Sequence, residues 1–428
     1  MNAANTRTAH PSPLRHLRPA DLRALAQLAT QATLGVSRIV EGVHQSVWST
    51  LGVPGGQAPG QTGGITGAVY KSIRAVTQLL GAGVEALLAR LPPLLGVDAG
   101  GPNATPQREA LLAALNGVLG DRLAASDNPL AIAMSLRYQG QALNWQALPP
   151  FPEATGKILL LIHGLCMNDR QWGEQNARPS GRQVDHAQTL AAALDYTPVY
   201  LRYNSGQHIS QNGRELAGLL QQLVAHWPVP LETITVLAHS MGGLLIRSAV
   251  HYAREARLSW PERVKNIVFL GVPHHGAPLE RAGNRIDALL GSTPYTAPFA
   301  RLGHLRSAGI TDLRYGHVLD EDWRGQDRFA RHADSRHLLP LPAGIACYAV
   351  AASTASRRSP FAERLIGDGL VPVPSALGQH HDVRRQLSFA HAAQWIAYGT
   401  SHNGLLGSPA VSRKLVHWLQ PAHLKDNA

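Results

Sequence analysis

The segment ITVLAHSMGGLLIRSAV places one serine, Ser240, between Ala238 and Gly242. A serine hydroxyl becomes a useful nucleophile when a base removes its proton during attack on a carbonyl carbon. Ile234–Leu237 reads as a strand and the run from Gly242 to Arg257 as a helix, so Ser240 falls on the sharp turn between them. Such a turn lifts the hydroxyl out of the sheet edge, towards a base and a substrate. It admits only very small residues two places to either side, because the strand and helix main chains crowd together there. Ala238 and Gly242 meet that demand, and Gly243 keeps the helix start slim. Glycine is usual at the first place, so the methyl of Ala238 is a departure. The motif is weak evidence alone in an Ala/Gly-rich chain. It occurs once here, in the strand–turn–helix setting that gives it meaning.

A second segment, KILLLIHGLCMNDRQW, ends a buried strand, Ile158–Ile162, in His163-Gly164-Leu165. Acyl transfer builds negative charge on the carbonyl oxygen, and main-chain N–H groups aimed at it lower the barrier by about 3 kcal/mol each. Leu165 and Met241 are the expected donors, Met241 at the start of the helix after Ser240. Gly164 lets the main chain approach a substrate, and His163 is expected to tie the loop down rather than to react. His239, beside the nucleophile, is expected to support the same pocket.

The base belongs in a loop after the last strand, and the acid that orients it in a loop after the strand before that. Among 21 histidines, His402 fits. It stands between a strand near Trp395–Tyr398 and a helix at Pro409–Leu419, whereas His391 and His417 fall on elements and His380 and His381 precede the strand. Asp368 fits the acid, since Gly367 and Gly369 permit an irregular loop that Val371-Pro372 closes. Asp382 is the second candidate, with a solvated turn as its plain reading. Asp312, Asp320 and Asp322 come too early, before the Ile345–Val350 strand. Gly271-Val272-Pro273-His274 leaves the Val264–Leu270 strand towards the same edge and is expected to line an acyl site, with His274 and His275 read as solvated loop residues. No metal-ligand spacing stands out, and Cys166 has no catalytic cysteine context.

These residues need a scaffold to bring them together. Short Ile/Leu/Val runs alternating with helices (the runs above with Pro198–Arg202; helices at His208–His226, Gly242–Arg257 and Pro409–Leu419) predict an α/β fold. Its sheet is mostly parallel and its strands are buried on both faces. Residues 151–428 form this domain, from the proline cluster Pro149–Pro152 onwards, with a cap-like insertion around 278–342. Residues 1–150 are read as a helical accessory region. Val36, Val40, Val43, Val47 and Leu51 form one stripe, and Val69, Ile73, Val76, Leu80, Val84, Leu87 and Leu91 a second. A third helix, from Thr105 to Leu123, stacks Leu112, Leu115, Leu119 and Leu123. Packing on one another or on the downstream domain is the expected use of these stripes; peripheral membrane contact or oligomerisation is the alternative.

With 428 residues, 44% hydrophobic and 16% charged, the chain is ordinary for a globular protein of two units. The net charge of +11 is spread out without a Lys/Arg block or interleaved aromatics, so no nucleic-acid partner is expected. No apolar run reaches the length of a membrane span and no secretory leader is read at the N-terminus. Two distant cysteines, Cys166 and Cys347, suit reduced thiols, and a cytoplasmic location is the default, with membrane association as the variant.

His163-Gly164, Ala238-His239-Ser240-Met241-Gly242-Gly243, Leu270-Gly271-Val272-Pro273-His274, Gly367-Asp368-Gly369-Leu370-Val371-Pro372 and His402 follow the order of bacterial lipases and esterases. The set most resembles the GPI inositol-deacylase-like branch of the α/β-hydrolases, over roughly residues 155–420. Val272 stands where that family usually has threonine. The resemblance implies an α/β-hydrolase fold, a lipid-like or other carboxylic ester substrate, water as second substrate and no cofactor; it assigns no role to the N-terminal helices. An acyltransferase with an alcohol or thiol acceptor, or a non-catalytic scaffold that kept the fold, are the competing expectations.

Overall fold

The computed structural model describes residues 106–145, 153–172, 184–276, 307–328 and 334–420. The two N-terminal stripes, the proline cluster Pro149–Pro152, and residues 278–306 and 329–333 of the expected cap lie outside the described residues. The chain divides into two compact units, Met1–Glu109 with Ala125–Leu130, and Ala110–Ala124 with Ala131–Ala428. Sheet and site belong to the second unit.

Eight strands form one sheet: β1 Ser135–Tyr138, β2 Gln141–Ala142, β3 Lys157–Ile162, β4 Thr197–Arg202, β5 Thr233–His239, β6 Val264–Leu270, β7 Ala346–Ser353 and β8 Gln394–Tyr398. Their spatial order is β2-β1-β4-β3-β5-β6-β7-β8. β3 to β8 run parallel, and β1 pairs antiparallel with β2 and β4. The main helices are α1 Pro106–Ala125, α2 His186–Leu194, α3 Ile209–His226 and α4 Met241–Glu255. Short helices α5 Ala308–Asp312, α6 Pro360–Leu365 and α7 Val373–Ala376 precede the last, α8 Pro409–Leu419.

Alternation along β3 explains the layering. Ile158, Leu160 and Ile162 face a core shared with Leu216, Leu220 and Leu223 of α3 and with Leu244 and Leu245 of α4. Leu159 and Leu161 face the opposite core, with Leu190 of α2 and Val411 and Leu415 of α8. A strand whose successive side chains are all buried on alternating sides must be apolar throughout. This is the α/β sandwich expected from the sequence. β3 lies between β4 and β5, so the chain departs to one side and returns on the other. In open α/β sheets, ligands bind in the crevice beyond the carboxyl ends of strands at such a switch point.

Two boundaries differ from expectation. The sheet begins at Ser135, before the proline cluster, because β1 pairs with β4 through Ser135–Arg202, Leu136–Leu201 and Arg137–Tyr200. Residues 110–124 of α1 also pack into the second unit, with Val118 in the same core as α3 and α4. Residues 307–328 of the expected cap form no strand, and they fasten onto α3 and α4. The Ser248 hydroxyl donates to the Val318 carbonyl at 2.6 Å, and the Ile209 amide to Asp312 Oδ2 at 2.8 Å.

Candidate active site

Ser240 sits where β5 ends and α4 begins, 7% exposed, with φ 53° and ψ −127°. A residue with a side chain holds such angles at a cost of about 1–3 kcal/mol, so the surroundings must impose them. They do so from both sides. The Ser240 amide donates to the Leu270 carbonyl of β6 at 2.9 Å, and its carbonyl accepts from the Gly243 amide at 3.0 Å. At Gly242 a Cβ would stand 2.6 Å from the His163 carbonyl oxygen and 2.7 Å from that of Ile162. That spacing is the close approach expected from the motif.

The loop after β3 lies directly on this turn. A Cβ at Gly164 would come within 3.0 Å of Ser240 Cβ. His163 is fully buried, stacks on Tyr203 at 4.3 Å between ring centroids, and donates from Nδ1 to the Gly164 carbonyl at 2.9 Å. Burial holds its pKa down to about 3, so the ring is neutral, as a structural tie should be. Tyr203 closes the arrangement by donating its hydroxyl to the His163 carbonyl at 2.9 Å. Met241 opens α4, so its N–H is one of the helix-start donors without an intrahelical acceptor. Both Met241 and Leu165 are buried.

Asp368 and His402 come from the loops after β7 and β8 and meet across them. His402 Nδ1 donates to Asp368 Oδ2 at 2.7 Å, and the two side chains are 5% and 0% exposed. Asp368 Oδ1 accepts from the Leu370 and Val371 amides at 2.9 and 2.8 Å. The turn that supplies these amides has Gly367 at φ 56° and Gly369 at φ 100°, conformations that glycine adopts without a Cβ clash. Gly271 connects this pair to the serine. Its neighbour Leu270 accepts the Ser240 amide, and a Cβ on Gly271 would lie 3.1 Å from Asp368 Oδ2 and 3.3 Å from His402 Cε1. Among the described residues, no direct hydrogen bond joins Ser240 Oγ to His402.

His239, which precedes Ser240 in the chain, meets the base. Its Nε2–H donates to the His402 carbonyl at 3.1 Å, and the rings lie 4.6 Å apart. Burial, then the neighbouring His402, pushes its pKa far down, so it too stays neutral. Trp172 meets the same ring edge-on at 6.4 Å between centroids.

His274 departs from expectation: it is buried, not solvated. Arg247 Nη1 donates to its Nδ1 at 3.4 Å, and Phe269 packs edge-to-face on it at 4.9 Å. His275 is also held, with Nε2–H donating to the Gly378 carbonyl at 2.9 Å and Nδ1 accepting from Arg336 at 2.9 Å. Asp382 lies apart from His402 and pairs with Arg384 at 2.9 Å, the turn role given it as its plain reading. Cys166 and Cys347 are unpaired, and burial raises both thiols to about 12, which leaves no thiolate for chemistry. Tyr203, Ser205 and Arg247 belong to no motif that the sequence shows. The first two follow the end of β4 at the same sheet edge, and that position was the available signal.

Residues 153–339 match the family model described as a PGAP1-like alpha/beta domain. The fold is that of an α/β-hydrolase. The match includes His163–Leu165, Ser240 and His274 and ends before Asp368 and His402, so the pairing of those two rests on geometry. No curated protein matches the chain. Among solved structures it is similar to the mature lipase BlEst2 of Bacillus licheniformis, at 17% identity over 66% of this chain and 98% of that one, with a TM-score of 0.38. It is also similar to lipase B of Aspergillus fumigatus, at 13% identity over 66% and 55%, with a TM-score of 0.38. Phospholipase PlaB of Legionella pneumophila shares 13% identity over 62% and 60%, with a TM-score of 0.40.

Proposed function

We propose that this protein is a serine hydrolase of carboxylic esters, with Ser240 as nucleophile, His402 as base and Asp368 as the acid that orients it. The observation that carries this reading is the strained Ser240 turn, set at the same sheet edge as a buried His402–Asp368 pair. Strain at a polar residue next to such a pair is the pattern of an activated nucleophile.

In the proposed reaction Ser240 Oγ attacks the ester carbonyl while His402 Nε2 takes its proton. Asp368 keeps the proton of the free imidazole on Nδ1 and favours the imidazolium as it forms. Leu165 and Met241 N–H groups receive the oxyanion. His402 then protonates the departing alcohol, and water releases the acyl group by the same steps in reverse. The Ser240–His402 hydrogen bond closes on substrate binding, as catalytic hydrogen bonds often do. The motif resemblance to lipases and inositol deacylases supports a lipid-like ester as substrate, and the two separated thiols support a cytoplasmic location.

The test is turnover of a p-nitrophenyl ester series of increasing acyl length by the full chain, with Ser240→Ala as control. Hydrolysis that persists undiminished in Ser240→Ala would exclude the proposed nucleophile. Lack of turnover and of fluorophosphonate labelling by folded protein would favour a scaffold.

A further inference from the structure

We infer that α1, acting through Gly117, is a positioning element that holds Cys166 and with it the Leu165 N–H beside Ser240. The inference rests on the hydrolase reading and gives the residues before the proline cluster a part in it.

Cys166 follows the proposed donor Leu165 and has φ 59°, a left-handed conformation that costs energy for any residue with a Cβ. Two contacts hold it there. Its amide donates to Ser205 Oγ at 3.1 Å, just past the end of β4. Its thiol lies against α1, 3.9 Å from the Ala114 carbonyl oxygen. At Gly117 the fit leaves no space: a Cβ would stand 2.2 Å from Cys166 Sγ, 2.9 Å from its Cα and 3.0 Å from its amide nitrogen. The helix main chain therefore bears on the loop main chain itself.

The helix is in turn fixed to the end of β4 and to the start of α5. Asn204 Nδ2 donates to the Gly120 carbonyl at 2.9 Å, and Ser307 Oγ to that of Gly117 at 2.6 Å. The Gly206 amide returns to Asn204 Oδ1 at 3.0 Å. On the other side of the loop, a Cβ at Gly164 would come within 3.0 Å of Ser240 Cβ. A single residue, Leu165, separates the face bearing on α1 from the face bearing on the nucleophile. A shift of a few tenths of an ångström at Cys166 must therefore be passed to the Leu165 N–H, since close-packed interiors transmit strain. An oxyanion donor that is misplaced weakens the transition state more than substrate binding.

The test compares the full-length wild type with Gly117→Ala, Ser205→Ala and Gly117→Ala/Cys166→Gly, measuring kcat and KM on a p-nitrophenyl ester and alkylation of Cys166 by iodoacetamide. Each single variant is expected to lower kcat by about tenfold or more with KM within about twofold, since the loss falls on the transition state. Gly117→Ala should also expose the Cys166 thiol to alkylation. The double variant should recover part of the kcat loss, because glycine accepts φ 59° and removes the 2.2 Å sulfur contact, while the contacts of the new methyl with the Cα and amide nitrogen of residue 166 remain. Wild-type kcat in folded Gly117→Ala and Ser205→Ala would overturn the inference, as would parallel loss of kcat and KM without recovery in the double variant. A wild type without Ser240-dependent turnover would instead remove the hydrolase reading. The alkylation of Cys166 would then still decide whether α1 holds the loop, and an unchanged rate in Gly117→Ala would end it.

Discussion

The His402 amide donates to the Asp368 carbonyl at 3.0 Å, so these two residues are joined through their backbones as well as through the 2.7 Å bond between their side chains. The backbone link fixes the distance between the β7 and β8 loops independently of protonation. A substitution in either side chain should therefore change chemistry before it changes the loops.

Asp368→Asn tests this directly. The amide oxygen is held by the Leu370 and Val371 N–H groups, which accept no NH2 in its place. The NH2 must then face His402 Nδ1 and force its proton to Nε2, the wrong tautomer for a base. We expect kcat to fall roughly 10⁴-fold with little loss of thermal stability. A variant that keeps more than a tenth of wild-type kcat would remove Asp368 from its assigned role.

His239→Leu should retain the packing volume of the ring while losing the donor to the His402 carbonyl. A base displaced by a fraction of an ångström loses roughly 10- to 100-fold in kcat. His239→Gln, which can still donate, should lie between the two. Equal kcat values in His239→Leu and wild type would show that the bond at 3.1 Å positions nothing.

Gly242→Ala places a methyl against the Ile162 and His163 carbonyls, which are main chain and cannot turn aside. The helix start or the β3 loop must move. Ester turnover should fall at least about 100-fold, because both the nucleophile and the oxyanion loop depend on that contact. Wild-type turnover in the soluble variant would refute this account of the turn.

Stability should fall on acidification. His163 stays neutral in the folded protein down to about pH 3, and His239 is likewise pushed far down, whereas unfolded histidines take up protons near 6.5. Below 6.5 the unfolded chain binds more protons, so each such ring removes about 1.4 kcal/mol of stability per pH unit until its folded pKa is reached. These contributions are fully present above about pH 7. Melting temperatures measured from pH 7 to pH 4 should decline. His163→Phe, which can still stack on Tyr203, should decline less steeply, and an identical slope would contradict the assignment.

Much of this was legible in the residues. Ser240, His402 and Asp368 were each singled out by the strand that precedes them, and the strands themselves by runs such as Ile158–Ile162 that no helix face requires. What was not legible is instructive. β1 is four residues, Ser135–Tyr138, with alternate positions buried, too short and too polar to stand out before the proline cluster. α2, His186–Leu194, is nine residues rich in alanine, with no apolar stripe long enough to show. His274 reads as a loop histidine because the arginines that enclose it are remote in the chain. Arg247 lies 27 positions before it and Arg336, which donates to its carbonyl at 3.0 Å, 62 positions after. Pairing at the sheet edge and enclosure by distant cations are tertiary facts that local pattern does not carry.

The antiparallel partner of β4 has a practical bearing on any shortened version of this molecule. A fragment cut at the proline cluster would keep every proposed catalytic group yet strip β1 from β4, leaving the amides and carbonyls of Tyr200–Arg202 that face β1 bare at the rim. Such a bare rim is a template for recruiting a strand from another copy. Aggregation of that fragment during expression would thus follow from where the cut fell, which also removes Val118 of α1 from the core.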